Sequence, residues 1–430
     1  MQRHPREVSG RQRQSRIFLQ GLSGTRPRVA SAFAGLEAQA ERAMSRKAFA
    51  YFAGGAGSED TLRANREAFE RRRIVPRVLR DVSDRSMRTA LFGRDLPAPV
   101  FLSPIGVLEL AHKGADTAAG SAAAELGLPF VFSSQASHSM EACAAAMGEG
   151  PRWFQLYWNT IDEVVRSFLR RAENTGCDAV VVTLDTTLLG WRPRDLDLGY
   201  LPFLRGKGIA QYTHDPAFLE SLSSELESEL SESKRKVTPS LLGALVSILR
   251  SFPGPLTEKL RSGQPRRAVQ QFIATYSRPS ITWEDLPFLR ENTTLPIILK
   301  GVLHPDDARR ARDEGVDGLV VSNHGGRQID GELAALEALP RIVDAVGDEM
   351  TVLFDSGVRS GADIFKALAL GADAVGIGRP YAYGLAVDGE RGARTVLENL
   401  LAELDLTMGL AGCRRPSEIT RQSLDSLERR

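Results

Sequence analysis

The chain has 430 residues, 42% hydrophobic and 25% charged, and its 55 basic and 54 acidic residues leave a formal net charge of +1. That length is enough for one large core with insertions. A near-zero total charge excludes a global field that would gather nucleic acid or anionic lipid, so partners have to be argued from local sites. Three cysteines (Cys143, Cys177 and Cys413) are odd in number and widely spaced with no CxxC pair, which argues against both a disulfide framework and a zinc site. With no run of about 18 apolar residues and no apolar core of a secretory signal at the N-terminus, a soluble, cytoplasmic protein is expected.

In chain order, residues 1–16 carry Arg3, Arg6, Arg11, Arg13 and Arg16 without an amphipathic apolar face, and read as a disordered basic tail. Residues 17–97 read as a helical segment. From about residue 98 a rhythm sets in: a short run rich in Val, Ile and Phe, polar or glycine punctuation, then a longer amphipathic stretch, which is βα alternation. The expected strands are Pro99–Pro104, Phe130–Ser134, Trp153–Tyr157, Ala179–Asp185, Ile297–Gly301, Gly318–Asn323, Thr351–Asp355 and Ala374–Arg379. Continuous apolar runs mean strands buried on both faces, and eight such units predict a closed (β/α)8 barrel over residues 98–420. No GxGxxG follows the first strand, as an open dinucleotide-binding sheet would require. Residues 421–430 read as a C-terminal tail.

Between the fourth and fifth strands the rhythm breaks, over about 200–282. Residues 216–239 are rich in Ser, Glu and Lys, and Ser240–Leu249 offers a short apolar helix. An insertion at that end of a strand sits over a barrel's site, so a partly mobile lid is expected; a disordered loop or an oligomer contact is the plainer alternative for its polar half.

Polar residues cluster where the strands end: Ser133 and Ser134, Gln155 and Tyr157, Thr183 and Asp185, Lys300, Ser322 to His324, Asp355 and Arg379. In a barrel all these ends share the rim where active sites are built. The sharpest segment is Ser322-Asn323-His324-Gly325-Gly326-Arg327-Gln328. It places a histidine on that rim, with two glycines that would let a ligand approach the backbone and an arginine three residues on. Arg192, in Gly190-Trp191-Arg192-Pro193-Arg194, can supply a second guanidinium, and two such forks beside a base suit an anionic substrate. An exposed salt bridge is the alternative, most of all for Arg194. Asp185 can hold the imidazole in one tautomer, or be an ordinary cap or loop aspartate. Lys300 ends an apolar strand, where an unpaired ammonium would be costly, and so requires an anionic partner. Asp355-Ser356-Gly357-Val358-Arg359 and Gly376-Ile377-Gly378-Arg379-Pro380 follow the last two strands, where barrels commonly bind phosphate. No metal-ligand spacing, GxSxG or P-loop occurs.

Together with Tyr51-Phe52-Ala53-Gly54-Gly55-Ala56-Gly57, Thr183 to Asp197 and Leu201-Pro202-Phe203-Leu204-Arg205-Gly206, these segments resemble the FMN-dependent 2-hydroxy acid oxidase and dehydrogenase family, within it most nearly the lactate 2-monooxygenase type. The resemblance implies FMN on the backbone of Pro104, Ile105 and Gly106, with further contacts from Ser133, Gln155, Thr183, Lys300 and Ser322. Residues Asp355 to Arg359, Gly378 and Arg379 would hold its ribityl chain and phosphate. It implies a substrate carboxylate on Arg192 and Arg327, Tyr51 and Tyr157 near the carboxylate or hydroxyl, His324 as proton acceptor supported by Asp185, and Lys300 offsetting negative charge on the reduced cofactor. A small 2-hydroxy acid and oxygen are the partners it implies, and a homotetramer or larger the assembly. Gln135 stands where plant glycolate oxidases have tryptophan, so the side-chain pocket is altered, and Gly106 where they have alanine. The expected reaction converts lactate and oxygen to acetate, carbon dioxide and water. An oxidase releasing 2-oxo acid and hydrogen peroxide, and a quinone-linked dehydrogenase, are the alternatives within the family; a sugar-phosphate barrel or a non-catalytic binding protein lies outside it.

Overall fold

A computed structural model describes residues 7–222 and 238–426. All eight expected strands form, seven slightly shorter than the apolar run and β3 of equal length but one residue earlier: β1 (Val100–Leu102), β2 (Phe130–Ser133), β3 (Arg152–Leu156), β4 (Val180–Thr183), β5 (Ile297–Lys300), β6 (Gly318–Val321), β7 (Thr351–Phe354) and β8 (Ala374–Ile377). They pair in parallel in chain order, and β8 returns to β1 through Val375–Val100 and Ile377–Leu102, closing the barrel.

The alternation of side chains along each strand divides the core in two. Phe101, Val131, Trp153, Val181, Ile298, Val320 and Leu353 point inward and fill the barrel. Leu102, Phe132, Phe154, Val182, Leu299 and Val321 point outward against the helices. A hairpin of Thr89–Leu91 with Arg94–Leu96 packs Phe92 edge-on against Trp153, with ring centroids 5.6 Å apart. Leu91 and Leu96 join the same inner cluster. One end of the barrel is thereby plugged with apolar side chains, and the other rim carries the polar strand ends.

Four helices precede the barrel: α1 (Gly10–Leu22), α2 (Phe33–Ala43), α3 (Arg46–Ala53) and α4 (Asp60–Glu70). Helix α1 corrects the expectation of a disordered tail over residues 10–16. Ser9 caps it by accepting from Gln12 N, Gly10 N donates to Asp405 Oδ2 at 2.8 Å, and Arg13 pairs with Glu398 at 2.7 Å. A Cβ at position 10 would lie 2.4 Å from Ala402 O, so the approach needs glycine. These tertiary contacts hold a helix whose own apolar pattern gives no sign of docking. Residues 1–6 lie outside the described residues.

The segment expected to be a C-terminal tail contributes a strand, Leu424–Ser426, paired antiparallel with Arg72–Ile74. In the insertion, the apolar helix runs Pro239–Ser251 and rests on the segment 202–206, where Ser247 Oγ donates to Arg205 O at 2.8 Å. The Ser/Glu/Lys-rich stretch 223–237 lies outside the described residues. The three cysteines are buried and unpaired, and no helix among the described residues is long and apolar enough to cross a membrane.

Candidate active site

The polar rim opens into a concave cavity lined by apolar, aromatic and convergent polar side chains, the kind of surface on which small molecules bind. It is lined by Pro104, Ile105 and Gly106 after β1, Lys300 at the end of β5, His324, Gly325 and Arg327 after β6, Asp355 to Arg359 after β7, and Gly378 and Arg379 after β8. Tyr51 from α3, Tyr157 after β3 and Arg192 after β4 complete it. Residues far apart in the sequence meet because parallel strands deliver every C-terminal end to one rim.

His324 Nδ1 lies 2.7 Å from Asp185 Oδ1, and Thr186 Oγ1, which donates to the same carboxylate oxygen at 2.8 Å, is 3.1 Å from that nitrogen. The carboxylate accepts, so Nδ1 carries the proton and Nε2 keeps its lone pair. Burial alone would raise the Asp185 carboxyl, but His324, Lys300 and the Thr186 hydrogen bond outweigh it and hold it well below the usual carboxylate range. Burial, with Lys300 and Arg192, pushes His324 below its ordinary value against the opposing pull of Asp185. The pair is thus an ionised carboxylate beside a neutral imidazole at neutral pH. His324 has φ 55° and Ser356 φ 89°, left-handed backbone that side-chain-bearing residues seldom adopt and that collects at functional sites.

Lys300 finds its anionic partners within the protein: its Nζ is 3.6 Å from both Asp185 Oδ2 and Asp355 Oδ2 and donates to Ser322 Oγ at 2.8 Å. Those carboxylates raise its pKa against the effect of burial. Ser322 and Asp355 thereby tie together neighbouring strand ends, and Ser103 Oγ joins them by donating to Asp355 Oδ2 at 3.0 Å.

Arg327 and Arg192 converge beside Asp195, whose carboxyl both of them act on, and neither has an ion-pair partner among the described residues. Arg327 Nη1 donates to the backbone carbonyls of Tyr51 and Gly54 at 2.5 and 2.8 Å, and its guanidinium lies over the Tyr51 ring, 5.1 Å from the centroid. Burial and Arg192 push its pKa down to about 10, so it stays charged at neutral pH. Arg192 donates to Gln328 Oε1 at 2.8 Å and to Arg327 O at 3.1 Å. Gln328 in turn donates to the carbonyls of Asp185 and Leu188, both at 2.8 Å, lacing the loop after β4 to the loop after β6. Arg194 makes the exposed ion pair expected of it, to Glu59 at 2.6 Å.

The glycines after His324 also serve the packing of the protein itself. A Cβ on Gly325 would meet Arg379 Nη1 at 2.9 Å, and one on Gly326 would meet Leu62 N at 2.8 Å. Arg379 spends its N–H groups on the carbonyls of Phe52, Gly325 and Gly54 at 2.9 to 3.0 Å. Arg359 stacks on Phe33, 4.4 Å from its centroid, with Nη1 on Val358 O. Burial and Arg379 push Arg359 down to about 9, and burial and Arg327 push Arg379 down to about 10, leaving two cations with no ion-pair partner among the described residues. A Cβ on Gly378, which opens the long helix Arg379–Ala411, would meet nothing within 4 Å, leaving that helix N-terminus open to an anion.

A model of the FMN-dependent dehydrogenase family matches residues 40–426. The chain belongs to the FMN-dependent 2-hydroxy acid oxidase and dehydrogenase family. Over 412 residues (96% of this chain and 94% of the relative) it is 42% identical to an FMN-dependent alpha-hydroxy acid dehydrogenase of Penicillium citrinum. Over 380 residues (88% and 89%) it is 40% identical to an L-lactate oxidase of Lysinibacillus sphaericus. A crystal structure of mandelate oxidase with (S)-4-hydroxymandelic acid superposes with a TM-score of 0.76 at 34% identity, covering 93% of this chain and 99% of that one.

FMN is the family's cofactor and this chain's, and the cavity suits it. Gln155 Nε2 and Thr183 Oγ1 are buried with no hydrogen-bond partner among the described residues, the condition of polar groups that a ligand completes. The paired cations at Arg359 and Arg379 suit a phosphate. Gln155, Thr183, Ser133 and Ser322 are buried at their strand ends, behind the residues that line the cavity. Ser133 and Ser322 are engaged by neighbours, Ser133 Oγ donating to Gln155 Oε1 at 2.9 Å. Lining residues that sequence reasoning did not assign to the site include Ser103, Thr186 and Leu189, and also Phe203 and Tyr276, which the insertion delivers. Phe272 stands between them, 5.2 Å from Phe203 and stacked on Tyr276 at 5.1 Å. Burial raises the Tyr276 phenol, and Arg192 acts on it in the opposite sense, so that hydroxyl lies within the field of Arg192. Nothing periodic in the insertion marks either residue; only the rule that such insertions cover the site points to their neighbourhood.

Proposed function

We propose that this protein oxidises a small L-2-hydroxy acid, lactate foremost, as a lactate 2-monooxygenase: lactate and oxygen give acetate, carbon dioxide and water. The observation that carries the oxidation is the Asp185–His324 pair beside Arg192 and Arg327 on one cavity wall. The two guanidinium groups bind the substrate carboxylate and present the 2-hydroxyl to His324 Nε2, with Tyr51 and Tyr157 closing on the same groups. His324 takes the hydroxyl proton, and ionised Asp185 stabilises the imidazolium that results. When bound, FMN accepts the two electrons that leave the substrate carbon. Pro104 to Gly106, Gln155 and Thr183 would meet its ring system, Asp355 to Arg359, Gly378 and Arg379 its ribityl phosphate, and Lys300 supplies positive charge where negative charge accumulates.

Retention of the 2-oxo acid until peroxide decarboxylates it is supported by Phe203 and Tyr276 over the cavity and by Gly106, which leaves room beside Gln135: a Cβ there would lie 3.0 Å from Gln135 Cβ. A second reading, an oxidase that releases 2-oxo acid and hydrogen peroxide, is favoured by the likeness to L-lactate oxidase and mandelate oxidase. Aerobic turnover of lactate, glycolate and mandelate with product analysis separates them. Acetate in step with oxygen consumption supports the monooxygenase; stoichiometric peroxide without acetate overturns it in favour of the oxidase. A homotetramer or larger is the assembly the resemblance supports, and sedimentation velocity tests it.

A further inference from the structure

Helix α1 is inside out. It turns Gly10, Arg13 and Ile17 toward the protein, while Phe18, Leu19 and Leu22 are 71%, 65% and 86% exposed. These three large apolar side chains occupy neighbouring positions on its outer face, since positions 18 and 22 lie one turn apart and 19 beside them. Leaving them in water is unfavourable in proportion to their area.

Beside this face lies a cleft between α1, residues 26–29 and the second half of the long C-terminal helix. That helix breaks at Asp388 and Gly389, where φ is 59° at the glycine, and so turns its second half toward α1. The cleft is lined by Arg13, Arg16, Arg26, Arg28, Arg391 and Arg394 against two carboxylates, Asp388 and Glu398. Arg28 and Arg391 share Asp388, Arg13 takes Glu398, and Arg394 turns to Glu125. Arg16 and Arg26 have no ion-pair partner among the described residues. A chain with a total charge of +1 thus concentrates a local excess of cations next to an exposed apolar stripe.

We propose that the outer face of α1 and this arginine cleft form a docking surface for an anionic lipid bilayer. The helix lies in the plane of the interface, with Phe18, Leu19 and Leu22 entering the boundary of the acyl chains and Arg11, Arg16, Arg26 and Arg28 meeting the headgroup phosphates. Apolar side chains flanked by arginines are what interfacial binding requires, because the two attractions add. A second copy related by a two-fold axis does not suit the surface: it would set the same patch on itself, arginines against arginines. The docked face is built from the N-terminal helix rather than the polar rim, so the active site stays open to small soluble substrates.

The test is co-sedimentation of the FMN-loaded protein with vesicles of phosphatidylcholine alone and of phosphatidylcholine and phosphatidylglycerol in equal parts, at low and high salt. Binding to the mixed vesicles, weakened by salt and nearly absent on phosphatidylcholine, is expected. The Phe18→Ser/Leu19→Ser/Leu22→Ser variant should lose it, and Arg16→Glu/Arg26→Glu should weaken it at least about tenfold, each arginine near such a surface contributing about fivefold. Both variants should keep normal substrate turnover, since none of these residues lines the active-site cavity. Equal binding to the two kinds of vesicle, variants that bind like the parent, or no binding at all would overturn the proposal. A triple variant that changes the sedimentation coefficient when the parent binds no vesicle would assign the face to a second copy instead.

Discussion

The two ends of the active-site cavity handle charge in opposite ways. At the rim of β4 to β6 the buried charges are balanced within the protein: Asp185 serves His324 and Lys300, and Asp355 shares Lys300. At the rim of β7 and β8, Arg359 and Arg379 are satisfied by backbone carbonyls and an aromatic ring. Breaking a balanced buried set leaves an uncompensated charge, so the first end holds its proton positions firmly. The second stays electropositive until a phosphate arrives. Arg192 and Arg327 stand between these cases, built like the phosphate end but placed beside the base, where under the proposed function they would give a substrate carboxylate a fixed seat.

The comparison can be broken at each end. The largest effect is expected for His324→Ala, which should retain FMN and its visible absorption yet lose about 10²- to 10⁴-fold in the rate of anaerobic reduction by substrate; near-normal reduction in a stopped-flow trace would remove His324 as the base. Arg327→Met should weaken substrate binding by about 1.5 to 3 kcal/mol, roughly 10- to 150-fold, the worth of a charge-assisted hydrogen bond, while leaving the dissociation constant of FMN near its original value. Arg359→Met should do the reverse, weakening FMN about tenfold or somewhat more with little change in substrate affinity once FMN is saturating, as read by fluorescence titration of the apoprotein. Equal losses of both ligands in either variant would show that the two ends do not act separately.

The smallest effect sharpens the comparison through pH. A protonated His324 cannot accept the hydroxyl proton, so kcat/KM should fall as pH falls through its pKa. Burial, Lys300 and Arg192 hold that value below the ordinary 6.5, which places the acid limb below that pH. Asp185 is the influence that raises it, so Asp185→Asn should shift the limb to still lower pH as well as slow the reaction. A limb above 6.5, or one that moves upward in Asp185→Asn, would contradict the charge balance described for this end.

Much of this was legible in sequence because barrel strands buried on both faces are written as continuous apolar runs, and the polar residue that ends each run falls on the catalytic rim. His324, Arg327, Arg192, Asp185, Lys300 and the two phosphate motifs all lie at or just after such ends. Phe203 and Tyr276 were not legible, because they reach the cavity through a folded insertion with no repeat to count. The packing roles of Gly325 and Gly326 were not legible because local sequence cannot say whether a guanidinium, a backbone or a ligand occupies the space a side chain would fill.

By itself, then, the sequence determined the barrel, its catalytic rim and the kinds of group assembled there, since period and strand-end polarity are local properties. Only tertiary structure decided which charges are balanced inside the protein and which wait for a ligand, because that depends on distances of a few ångströms between chain segments hundreds of residues apart. The same reason governs α1. Its arginines and leucines are plain in the sequence, but which of them face the protein and which face outward is set by the close seat of Gly10 on the C-terminal helix.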